Sequence, residues 1–232
     1  MFKNHPKGLV IAFFSNMGER FGFYTMMAIL VLFLQAKFGL SAESAGSIYS
    51  WFYFAIYALA LVGGIIADST KRYKLVVLLG LIVMLLGYAM MAIPGTTLAI
   101  AITGLMVIAL GNGLFKGNLQ AIVGQLYDDP KYEPLRDTGY LLFYMGINIG
   151  AFFAPFAATG MRNWFLKING FVHDASLPSM CHAYINGQSL DVDKFHALAN
   201  SVSSAPVTDL SAFAHQYIDV FSRGYNYAFG IA

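Results

Sequence analysis

Long apolar runs separated by short polar turns set the rhythm of this chain. Runs near 9–36, 44–68, 74–93, 97–126 and 136–160 carry few charges, and about 20 consecutive apolar residues suffice for a helix to cross the hydrocarbon of a bilayer. A sixth run opens near Gly224 and stops, with neither cap nor polar tail, at Ala232. The stop reads as a boundary within a longer chain. The pattern therefore predicts an all-α membrane protein whose sixth span is truncated.

Residues 161–223 break the rhythm, being rich in Asn, Ser, Asp and His. They are expected to form an extracytoplasmic insertion. Helical periodicity predicts short amphipathic helices at Val192–Val202 and Asp209–Phe221, the second capped by Thr208 or Asp209. The expected organisation is thus 1–160 for spans one to five, 161–223 for the insertion and 224–232 for the start of span six.

The first run exceeds the apolar region of a cleaved signal peptide, about 7–15 residues, and is expected to be retained. Basic residues mark one side of the membrane: Lys3 and Lys7, then Lys71, Arg72 and Lys74, then Lys131 and Arg136. By the positive-inside rule these ends, including the N-terminus, are cytoplasmic. The other side carries Lys37 and Glu43 in one loop and an uncharged Pro94-Gly95-Thr96-Thr97 turn in the next.

Composition agrees, with 58% hydrophobic and 11% charged residues against about 25% charged in soluble domains. The net charge of +2 is scattered over short connections, which argues against nucleic-acid binding. Cys181 is the single cysteine, so it forms no intrachain disulfide and reads as an inert thiol. His173, His182, His196 and His215 lack metal-ligand spacing and read as surface histidines, so no metal is expected.

Three charges stand inside the apolar runs: Glu19 and Arg20 in the first, Lys116 in the fourth. An ionisable group at that depth is costly unless it faces the bundle interior or water, which makes each a candidate functional residue. Asn16, Glu19, Arg20, Phe23, Tyr24 and Met27 recur at steps of three and four and share one helix face. The bland alternative is that Glu19 and Arg20 only lock helices together. Adjacent residues point about 100° apart, however, and are not expected to satisfy each other easily. The fourth run places Asn112, Lys116 and Gln120 on one face, with Gly113 and Gly117 as a small-xxx-small pair for close helix approach. Gly146 and Gly150 repeat that device. Tyr49, Tyr53 and Tyr57 form a stripe whose readings are core packing, an interfacial belt or ligand contact. No nucleophile elbow, Walker loop, dinucleotide fingerprint or HExxH occurs, so enzymatic chemistry has no motif support.

Asn16-Met17-Gly18-Glu19-Arg20-Phe21-Gly22-Phe23-Tyr24 resembles the ExxERFxYY signature of the proton-coupled oligopeptide transporters, a branch of the major facilitator superfamily. Gly63-Gly64-Ile65-Ile66-Ala67-Asp68 looks like their GGxxAD element, and Gly111 to Asn118 resembles GxGxxKPN. Phe143 to Gly150 resembles FYxxINxG, and Gly224 to Gly230 looks like the start of their sixth helix. The motifs arrive in the family order over 8–160 and 224–232.

The resemblance implies the N-terminal six-helix half of a transporter that imports di- and tripeptides with protons across a cell membrane, such as a bacterial inner membrane, by alternating access. Its partners would be small peptides, protons, the lipid bilayer and the C-terminal half of the same transporter, with no cofactor beyond the coupling proton. Carried over by residue, Glu19, Arg20 and Lys116 would couple the proton, while Asn16, Arg20, Tyr24, Tyr57, Lys116 and Asn148 would bind substrate. Gly63, Gly64 and Asp68 would form a structural motif. Departures are informative: Asn16 stands where the signature has its first Glu, and Met27 where the family commonly has an Arg. One acid and one base are absent together, so altered proton stoichiometry or pH dependence is expected. Other readings are a same-family transporter of another small anionic substrate, or a non-transporting membrane receptor or assembly subunit.

Overall fold

The computed structural model describes residues 2–232 as eight α-helices. In chain order they are α1 (Lys7–Phe38), α2 (Ala42–Thr70), α3 (Tyr73–Ala92), α4 (Leu98–Gln125), α5 (Arg136–Ile168), α6 (Leu177–Ile185), α7 (Val192–Val202) and α8 (Leu210–Gly230). Among the described residues there is no strand, only an isolated bridge between Phe171 and Ser203. The first four helices and the 133–168 segment containing α5 are long and apolar enough to span a bilayer.

Several boundaries have a local cause. Ser41 accepts the Ser44 amide at 3.1 Å and opens α2, and Thr97 accepts the Ile100 amide at 3.3 Å and opens α4. Asp191 and Asp209 cap α7 and α8 in the same way. Such side chains satisfy amides that the first helical turn leaves without partners. Gly39 closes α1 in the left-handed region, at φ 64°, which a residue without Cβ adopts freely.

α3 and α2 both lie along α4, α1 lies along α5, and α8 packs against α5, α1 and α3. Small residues set the closest crossings. Gly63 of α2 meets the backbone of Gly113 on α4, and a Cβ at Gly113 would stand 2.6 Å from the Leu59 carbonyl. Asn118 fastens the same crossing by donating to the Gly63 carbonyl at 3.0 Å. Gly117 and Gly64 face open space, so the predicted Gly113–Gly117 pair works through Gly113 alone. Gly146 and Gly150 admit the α1 backbone at Phe13 and Met17, as the spacing suggests. Large apolar side chains such as Trp51, Ile65, Leu85 and Phe152 remain exposed on the helix exteriors, as lipid-facing positions require.

Two expected boundaries differ. α5 continues past 160 to Ile168, and the amphipathic segment expected at Asp209–Phe221 is the first part of α8, continuous with the span expected from Gly224. Backbone hydrogen bonds persist where hydropathy falls, so polarity marks where a helix leaves apolar surroundings and not where it ends. The predicted Val192–Val202 helix is α7. Residues 169–209 fold as a cap over one end of the bundle. Its core is Phe171, Leu177, Cys181, Phe195 and Ala199, packed with Phe213 and Tyr217 of α8. The Tyr217 hydroxyl donates to the Val172 carbonyl and accepts the Asp174 amide, both at 3.1 Å. Cys181 is fully buried and burial pushes its thiol up to about 12. The histidines are not all free surface groups: the His182 and His196 rings hydrogen-bond the Ala36 and Val207 carbonyls, each at 2.8 Å.

Candidate functional site

Glu19 and Arg20 satisfy each other despite being neighbours. Arg20 Nε donates to Glu19 Oε2 at 2.5 Å and Nη2 to Oε1 at 2.7 Å, with the two side chains 3% and 7% exposed. The 100° offset governs the Cα–Cβ directions, but the long arginine stem folds back and presents its planar fork to both oxygens. A buried pair of this kind spares either charge from standing alone, which costs several kcal/mol. A further donor comes from α4, where Asn112 Nδ2 meets Glu19 Oε1 at 2.5 Å.

Arg20 also faces a chamber of about 180 Å³ that it lines with Tyr24, Met27, Tyr53, Tyr57 and Lys116. Lys116 Nζ lies 4.7 Å from the centroid of the Tyr57 ring, a cation–π contact. The Tyr53 and Tyr57 hydroxyls are 3.3 Å apart, and Tyr49 stacks on Tyr53 with parallel rings. The chamber therefore joins two cations and a tyrosine stripe from α1, α2 and α4. Met27, at the position where an arginine was expected from the resemblance, supplies an apolar wall instead.

The other predicted site residues lie elsewhere. Glu19 lines a separate cavity of about 650 Å³ with Tyr88 of α3, and no ion pair joins it to Lys116 among the described residues. The trio that the resemblance groups together is thus a Glu19–Arg20 pair with Lys116 held on Tyr57. Asn16 is buried against α5, donating to the Phe143 carbonyl at 3.2 Å, and fixes the helix crossing. Asn148 is exposed on α5 and lines neither cavity. Asp68 accepts the Tyr73 hydroxyl at 2.6 Å across the α2–α3 turn, while Gly63 packs and Gly64 does not.

Helical spacing puts Asn112 on one face with Lys116 but does not assign it a partner. Arg162 is a further buried cation outside the predicted set. That arginine, 6% exposed, sits between Met161 and Asn163 within the continuation of α5. Its signal was a cation with Met161 before it and Trp164-Phe165 just beyond Asn163.

Known proteins bear on this arrangement. A model described as POT family matches residues 74–232. Dipeptide and tripeptide permease A of Cronobacter turicensis is 36% identical over 160 residues, 69% of this chain and 32% of that protein. The permease of the same name from Escherichia coli K12 is 35% identical over 152 residues, 66% of this chain and 30% of that protein. A crystal structure of peptide transporter POT in complex with sulfate superposes with a TM-score of 0.62 at 28% identity, covering 100% of this chain and 40% of that one. A POT family transporter in complex with 5-aminolevulinic acid gives 0.64 at 27% identity, with 94% and 45% covered. The chain spans about a third of the length of the curated relatives it matches. With the helical architecture, the ordered motifs and the family match over most of its length, the chain belongs to the POT family.

Proposed function

We propose that this chain is the N-terminal half of a proton-coupled symporter that imports di- and tripeptides across a bacterial inner membrane by alternating access, with its N-terminus cytoplasmic. The observation that carries the reading is the chamber in which Arg20 and Lys116 meet Tyr24 and Tyr57. A chamber lined by two cations and, among the described residues, by no carboxylate suits the C-terminal carboxylate of a peptide, and the tyrosines add apolar area with hydroxyls for the peptide bond. Glu19 is the proton carrier in this reading. A carboxylate that engages Arg20 from the chamber side competes for the guanidinium, loosens Glu19 and favours its protonation. Transport of a bound molecule, not its chemical conversion, is the activity.

Names of the relatives support peptides as the substrate class, and the complementary half of the transporter is the remaining partner. The test is uptake of a labelled dipeptide into proteoliposomes holding the full-length protein, with the outside acidified. Accumulation against the gradient, abolished by Lys116→Ala, is the expected result. Absence of driven uptake with an intact, folded protein would overturn it.

Asn16 bears on stoichiometry. With this position amidated and tied to Phe143, Glu19 is the single acid of the signature that remains. Fewer protons per peptide are expected than in a relative that has both acids. Equal stoichiometry would refute this.

A further inference from the structure

Arg162 of α5 is 6% exposed, yet it has no carboxylate partner among the described residues, whose ion pairs are Glu19–Arg20, Asp128–Arg136 and Asp219–Arg223. Its Nε and Nη2 donate to Oδ1 of Asn163 at 3.1 and 3.0 Å, and its Nη1 donates to the Tyr225 hydroxyl at 3.3 Å. A guanidinium carries five N–H groups, so one on each terminal nitrogen is unclaimed. The planar cation lies 5.7 Å from the centroid of the Tyr225 ring and 6.0 Å from that of Phe221. Every partner it has is neutral, and a buried cation without a counter-charge is unfavourable.

Arg162 lines a cavity of about 440 Å³ with His173, Ser179, His182, Asn186 and Gln188. That volume lies in the range of small-molecule sites. The nearby acid, Asp174, is already engaged: its Oδ1 accepts the Ser176 amide and hydroxyl at 2.8 and 2.6 Å and the Leu177 amide at 3.1 Å. The cavity is bounded by the end of α1, by α5, by α8 and by the cap. α8 packs on α5, α1, α6 and α3, whereas the Lys116 chamber is walled by α1, α2 and α4. The two are separate places.

We propose that this cavity is a second anion site, which takes the carboxylate of a small soluble molecule on the two free terminal N–H groups of Arg162. Fork geometry matches a carboxylate bidentately, and the single fixed charge suits a monoanion. Amides and hydroxyls of the cap supply neutral donors and acceptors for the rest of the ligand.

The full-length protein in detergent tests this by its thermal unfolding midpoint during titration with N-acetylglycine, N-acetylglycinamide or inorganic phosphate. A saturable rise with N-acetylglycine, absent with the amide and retained in Lys116→Ala, is expected. Arg162→Gln should raise the half-effect concentration at least tenfold. Arg162→Lys keeps the charge but loses the fork and should raise it at least threefold, which decides the matter if the Gln variant does not fold. An undiminished response in these variants, or its loss in Lys116→Ala, overturns the proposal. So does a wild type without response, the result expected if a carboxylate elsewhere in the full-length chain fills the cavity. Phosphate acting at lower concentration than N-acetylglycine overturns the carboxylate assignment.

Discussion

Asn112 on α4 donates its side-chain amide to the Glu19 carboxylate on α1 at 2.5 Å. This bond ties together two helices that otherwise touch little, and Asn112 Oδ1 is left buried with no partner among the described residues. Asn112→Leu removes the donor to a buried charge, a loss of about 1–3 kcal/mol, but also removes the orphaned acceptor. The net effect is therefore predicted at the lower end, about 1 kcal/mol. A thermal midpoint equal to that of the wild type, in the full-length detergent-solubilised protein, would show that the tie contributes nothing.

Gly63 and Gly64 provide a matched pair. A Cβ at Gly63 runs into the α4 backbone, whereas one at Gly64 meets nothing within 4 Å. Gly63→Ala is predicted to destabilise by about 1–3 kcal/mol through overpacking against backbone that cannot move aside. Gly64→Ala is predicted to be neutral or to stabilise by roughly 0.5–1 kcal/mol from helix propensity. Unfolding midpoints of the two variants decide it, and equal effects would contradict the crossing described.

Tyr57 holds Lys116 by its ring face and not by its hydroxyl alone. Tyr57→Phe is predicted to leave the KM of the proposed peptide uptake within about twofold, whereas Tyr57→Leu raises it roughly fivefold. The difference corresponds to about 1 kcal/mol of cation–π contact. A Phe variant as impaired as the Leu variant would assign the role to the hydroxyl.

His173, in the cap, stacks on Phe221. Burial, and then the positive charge of Arg162 from α5, hold its pKa below the ordinary 6.5, while Asp174 in its own loop acts the other way. The folded state therefore favours the neutral ring. Its contribution is fully present above 6.5 and is lost as pH falls from 6.5 through the depressed folded value. Hydrogen exchange over residues 170–185, corrected for intrinsic rates, is predicted to show weaker protection at about pH 5.5 than at pH 7.5, the ordinary histidine range. His173→Gln should abolish that difference. A persisting difference would place the pH sensor elsewhere.

The five long spans were readable because the bilayer demands unbroken apolar helix at a fixed length. What hydropathy could not reveal is continuity beyond the hydrocarbon, where Arg162 and Asn163 on α5 and Asp219 and Arg223 on α8 resemble loop composition but stay in register with the backbone ladder. The site was legible as a set of residue types on shared faces, which brought Arg20, Tyr24, Tyr57 and Lys116 to one chamber. Pairing was not. Side-chain reach decided that Arg20 folds onto Glu19, and a backbone carbonyl on α5 claimed Asn16. Neither is encoded in helical spacing.

Because α8 runs without interruption from Leu210 to Gly230 and lends Phe213 and Tyr217 to the core of the cap, the cap is seated on a rod that continues into the bundle. A spin label or fluorophore on the exposed face of α7 would thus act as the tip of a pointer, magnifying at the membrane surface any rocking of the bundle that the proposed transport cycle requires.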